Sequence, residues 1–127
     1  MKSNPNLRKE IEKFKECVIL VEGKNDIKSL KSAGFEKVYA IHVPGVGLRE
    51  RIEQIVSEVG TKETFCVLMD LDKSGKKFYT LIKPILQELG VRVDTKFRGL
   101  LSRENVSHLE GFGKVVESLD SNLTASL

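Results

Sequence analysis

The chain has no run of about 18 apolar residues, the minimum for a helix that spans a bilayer. Its first residues, "MKSNPNLRKEIEKFKE", are charged and lack the apolar stretch of a secretory leader, so the expected location is the cytoplasm, with no membrane partner. Cysteine is scarce. Cys17 and Cys66 each head an apolar run, are too few for a disulfide framework and match no zinc spacing; they read as buried free thiols. His42 and His108 are too few and too separated for a zinc centre. Repeats and low-complexity tracts are absent. A strong field of one sign is absent too: 21 Lys and Arg face 18 Asp and Glu, for a net charge of +3. Any polyanion partner must therefore be held by local charge, not by the molecule as a whole.

What is present suits one globular domain over residues 1–127, of which 40% are hydrophobic and 31% charged. Leu7, Ile11 and Phe14 share one face of a helix over about 5–16, with Asn4 as cap and Pro5 in the first turn. "CVILVEG" is a continuous apolar run rich in β-branched residues, the signature of a strand buried on both faces. "NDIKSLKSAGF" reads as a helix stopped at Gly34, "KVYAIHV" as a second strand and "LRERIEQIVSEVG" as a helix ended by Gly60. "TFCVLMD" is a third strand, and "VRVDT" a short fourth. Between those two, "SGKKFYTLIKPILQELG" is a helix in which Pro84 should make a kink or mark a shortened start. Beyond residue 95 the pattern weakens into helix-compatible pieces interrupted by glycines.

Strands and helices alternate, so the fold class is α/β: a three-layer α/β/α arrangement of a four-stranded parallel sheet, in the order 2-1-3-4. The core spans about 17–95, with an extra N-terminal helix and a C-terminal extension over about 96–127.

The stretch "VLMDLDKSG" runs three apolar positions into two aspartates one residue apart. Side chains alternate along an extended chain, so Asp70 and Asp72 are expected on one side. Like charges so close repel, and a hard divalent cation between them removes that cost. If strands one and three are neighbours, Glu22 at the end of the first faces the pair across one strand spacing, about 5 Å. Lysines crowd beside both acidic segments: Lys24, Lys28 and Lys31 after the first, Lys73, Lys76 and Lys77 after the second.

"VILVEGKND" and "VLMDLDKSG" together resemble the two signature motifs of the Toprim domain. That domain is shared by type IA and type II topoisomerases, bacterial DnaG-type primases, OLD-family nucleases and small ribosomal RNA maturases. The chain is most similar to the stand-alone small members. The resemblance implies that Glu22 is a general acid or base that also contacts metal, and that Asp70 and Asp72 bind magnesium, with manganese as a substitute. Gly23 and Asp26 match the continuation of the first motif, Gly75 the glycine after the second, and Gly45 the small-residue loop after strand two. Lys24, Lys73, Lys76 and Arg98 are the candidates for binding phosphates, with Arg103 and His108 as further ones. Tyr39 and Tyr79 read as packing residues, unlike the nucleophilic tyrosine that topoisomerases bring from another domain.

The implied function is magnesium-dependent phosphodiester chemistry on nucleic acid, RNA or DNA: a nuclease or nucleotidyl transferase, with RNA processing favoured. The alternative is a non-catalytic, magnesium-dependent nucleic-acid-binding module of a larger complex, with a protein partner completing the site. A phosphoacceptor receiver domain would share the strand order, but it needs two acidic residues after strand one and a lysine after a fifth strand, and neither is evident here.

Overall fold

Val18, Ile19, Leu20 and Val21 form strand β1, and every one is 0% exposed. Such a strand needs partners on both edges and cover on both faces. It has them in the computed structural model, which describes residues 7–70 and 72–103. β2 (Val38–Ala40) pairs with one edge of β1 and β3 (Thr64–Val67) with the other, both parallel; β4 (Arg92–Val93) lies parallel to β3 on the outside. The order is β2-β1-β3-β4, as expected from the sequence.

Five helices complete the layers: α1 (Leu7–Phe14), α2 (Lys24–Ser32), α3 (Leu48–Val59), α4 (Lys73–Glu88) and α5 (Lys96–Arg103). Strand alternation divides the core in two. Ile19, Val21, Cys66 and Leu68 face Ile11 of α1, Leu30 of α2, and Phe97 and Leu100 of α5. Val18, Leu20, Phe65 and Val67 face Ile52 and Ile55 of α3 and Ile82 and Leu86 of α4. Each such aliphatic side chain, fully buried, contributes about 1.5–3 kcal/mol. Phe14 and Phe97 stack at 4.6 Å and close the first core between α1 and α5.

Three elements differ from the sequence expectation. α4 runs unbroken through Pro84 to Glu88, so the proline marks no start. Pro in a helix interior costs about 3 kcal/mol. Burial of Ile82 and Leu86, both 0% exposed and on either side of it, is of a size to offset that. Residues 96–103 form a helix despite Gly99, because Phe97, Leu100 and Leu101 bury against the sheet. β4 is only two residues long and sits low: it pairs with Thr64 and Phe65 at the start of β3, and its ladder stops there.

Cys66 is buried and Cys17 half-buried, both free, as their runs suggested. Burial pushes the titration of each thiol upward. No helix among the described residues is long and apolar enough to cross a membrane.

Candidate metal and nucleic-acid site

The carboxyl ends of β1 and β3 are adjacent because Leu20 lies opposite Val67, and the Leu68 amide donates to the Leu20 carbonyl at 2.8 Å. Glu22 follows β1 directly, and Asp70 and Asp72 follow β3, so all three emerge at one edge of the sheet from neighbouring strands.

The β1–α2 turn is short. Gly23 is the cap residue of α2, with extended backbone (φ −148°, ψ −171°). Having no side chain, it cannot satisfy the helix amides. Asp26 works in the other direction: its Oδ2 accepts the Gly23 amide at 3.2 Å and ties the chain leaving Glu22 to the first turn of α2. Glu22 is half-buried. Its carbonyl accepts the His42 amide at 3.1 Å, and its Oε1 lies 3.7 Å from His42 Nε2. The His42 ring meets Phe78 of α4 edge-on at 4.9 Å. Sequence reasoning set His42 aside with the zinc question. Its signal was positional: it follows the second strand as Glu22 follows the first, and parallel pairing sets such positions side by side.

The β3–α4 turn is locked differently. Asp72 caps α4, its Oδ1 accepting the Gly75 amide at 2.8 Å. Gly75 is buried against the backbone of Asp70. A Cβ at Gly75 would overlap the Asp70 carbonyl oxygen and stand 2.7 Å from its carbon and 3.0 Å from the Asp70 nitrogen. Only glycine lets α4 approach this closely. The motif D-x-D-x-x-G is thus a turn in which one aspartate caps the helix and the other presses its backbone on the glycine. Gly45 has a separate reason: at φ +79° it completes the tight turn after β2, where the Val46 amide donates to the Val43 carbonyl at 3.1 Å.

Lys73 and Lys76 occupy the first turn of α4, which holds no acidic residue, and Lys24 opens α2; all three are exposed. None of them forms an ion pair among the described residues. Cations at a helix N-terminus oppose the helix dipole, and a bound anion would relieve that. Arg98 lies in α5 and stacks on Tyr79 at 4.3 Å, with its Nη1 buried and without a hydrogen-bond partner among the described residues. Tyr39 and Tyr79 pack against the α3/α4 core. Arg103 is exposed at the end of α5, and His108 lies outside the described residues.

The donor chemistry of Glu22, Asp70 and Asp72 suits a hard divalent ion: all are carboxylates, and Asp72 Oδ2 makes no hydrogen bond among the described residues. They are not gathered into a finished cage. Among the described residues no three His, Cys, Asp or Glu side chains stand close enough to hold an ion together.

A model of the Toprim-like family matches residues 19–122. The chain belongs to the Toprim-like family. Toprim domains in general belong to metal-dependent enzymes of nucleic acids. Over 82 residues the chain is 32% identical to the protein YusF of Bacillus subtilis (strain 168), a match that spans 61% of this chain and 56% of YusF. A solved structure of a protein from Aquifex aeolicus superposes with a TM-score of 0.70 at 30% identity, covering 87% of this chain and 98% of that one.

Proposed function

We propose that the protein carries out magnesium-dependent phosphodiester chemistry on nucleic acid, as a nuclease or nucleotidyl transferase with RNA the favoured substrate. The observation that carries this reading is the meeting, at one sheet edge, of the β1 end bearing Glu22 with the β3 end bearing Asp70 and Asp72. Membership of the family supports the metal and nucleic-acid parts.

In this reading Asp70, Asp72 and Glu22 would hold the ion, Asp72 through the oxygen that its cap on α4 leaves over. The bound cation would supply charge neutralisation at the phosphate and lower the pKa of a water molecule. Glu22 takes a proton from the attacking hydroxyl or water, or gives one to the leaving oxygen, at its carboxylate. Lys24, Lys73 and Lys76 bind the scissile and flanking phosphates; Arg98, with its Nη1 buried beside Tyr79, reaches a further one only by leaving that stack. Phosphoryl transfer depends mainly on positioning and charge stabilisation, and this chain provides both with few groups.

The test is calorimetric titration of magnesium and manganese into the wild type and the Asp70→Asn, Asp72→Asn double variant, with and without a short structured RNA, followed by cleavage assays of Glu22→Gln. Metal binding that needs the aspartates and tightens with RNA, with product lost in Glu22→Gln, is the expected result. Equal binding by wild type and double variant defeats the reading. A second reading, a binding module completed by a protein partner, draws on the commitment of Asp72 Oδ1 to the helix cap and on the ungathered carboxylates. It predicts metal-dependent RNA binding without product under any divalent ion.

A further inference from the structure

Beside Glu22 the β1–α2 and β2–α3 turns border an open groove of about 670 Å³, lined by Lys24, Asn25, His42, Val43 and Pro44. Its volume falls within the range of ligand sites, about 300–1,000 Å³. Its walls are held from behind. The Gly45 turn closes on the Val43 carbonyl, and Arg51 Nε of α3 donates to the Ala40 carbonyl at 2.9 Å, tying α3 to the end of β2. The His42 ring is braced edge-on by Phe78 yet its side chain is 50% exposed, so a ring surface is fixed and still available.

The chemistry of the lining selects the occupant. Lys24 is the one lysine or arginine lining the groove among the described residues, and Glu22 Oε1 stands 3.7 Å from His42 Nε2. A second phosphate there would meet little positive charge and a carboxylate. The remaining groups are an imidazole, a proline ring, a valine and a side-chain amide: flat or apolar surface with one group able to donate and accept. Single-stranded nucleic acids are held in this way, by bases stacked on rings with polar groups at their edges.

We propose that this groove takes the base of an unpaired nucleotide adjoining the phosphate at the acidic edge, stacked on His42 and Pro44 and met at its edge by Asn25; this rests on the nucleic-acid reading above. Lys24 then contacts the connecting phosphate. A base inside a duplex cannot enter, so the substrate has at least one splayed nucleotide beside the reacting bond. Stacking tolerates any base, so the groove reads the presence of a base more than its identity.

The experiment measures binding of the full chain, in manganese or magnesium, to short ribo- and deoxyribo-oligonucleotides in which a single abasic site is moved along the strand. Loss of the base at one position is expected to weaken binding about tenfold, with little effect elsewhere. A 2-aminopurine at that position should be quenched on binding. His42→Ala should produce the same loss as the abasic site, with no further loss when both are combined, and His42→Phe should retain the affinity. Metal-dependent binding that is indifferent to abasic sites at every position overturns the groove assignment and leaves the function reading standing. Absence of nucleic-acid binding by the wild type in either metal overturns both. The abasic series uses the wild type alone, so it decides the matter even if His42→Ala unfolds.

Discussion

Two strand-to-helix turns stand side by side at the carboxyl edge of the sheet, and they solve the same problem in opposite ways. In the first, glycine precedes the helix and an aspartate inside the helix reaches back: Asp26 accepts the Gly23 amide. In the second, an aspartate precedes the helix and reaches forward: Asp72 accepts the Gly75 amide. The glycines differ as well. A Cβ at Gly23 meets nothing within 4 Å, whereas one at Gly75 collides with the backbone of Asp70. The first turn is open and leaves space beside Glu22. The second is a tight lock that sets where Asp70 and Asp72 leave the sheet. An edge built this way has one tightly packed wall bearing the aspartate pair and one roomier wall facing the groove.

The sharpest way to break that contrast is at the glycines. Gly75→Ala should cost about 3 kcal/mol by urea unfolding, because backbone must move on one side or the other. Gly23→Ser should stay within about 0.5 kcal/mol of the wild type, since its backbone is extended and serine is a good cap. Equal losses at both sites would remove the distinction.

The aspartates give the next largest effect. Asp72→Ala should lose about 1 kcal/mol of stability with the cap, while Asp72→Asn keeps it, because asparagine caps as well as aspartate. Manganese affinity should nonetheless fall at least about tenfold in Asp72→Asn, since a neutral amide replaces a charged oxygen ligand. Asp26→Asn should leave that affinity unchanged. Denaturation together with calorimetry on the three variants separates capping from metal binding.

The lysines come third. Lys73→Ala and Lys76→Ala should each reduce the slope of log affinity for RNA against log salt by about 0.7, the change due to one lost phosphate contact. A smaller change at Lys24→Ala would mark the first turn as the less electrostatic wall.

The smallest effect is expected at the two thiols, away from the acidic edge in the proposed reading. Burial raises the titration of Cys17, so little thiolate exists at pH 8. Alkylation of Cys17 should be slower than that of an exposed thiol and quicken as pH rises. Cys66, more deeply buried, should react only on unfolding.

Much of this was legible from local pattern. The apolar run Val18–Val21 announced a strand buried on both faces, and the spacing of Leu48, Ile52, Ile55 and Val59 announced α3. The acidic ends of two such strands announced the family. What pattern could not carry was distance. That β4 pairs low on β3, that α4 passes through Pro84, and that α5 forms around Gly99 all follow from burial against other elements, which overrides local preference. His42 acquired its place beside Glu22 only through the pairing of β1 with β2. Gly75 was marked by the motif, but its reason, the backbone of Asp70 against its Cα, is a contact.

By itself, then, the sequence determined which segments become strands and helices and which carboxylates stand at strand ends, because those depend on side-chain periodicity within a few residues. It also pointed to β1 between β2 and β3, which the sheet bears out; the tertiary structure alone decided that His42 stands 3.7 Å from Glu22 and that, among the described residues, the carboxylates at this edge are not gathered into a cage. Adjacency is settled by burying both faces of the central strand under right-handed crossovers, a condition on the whole chain.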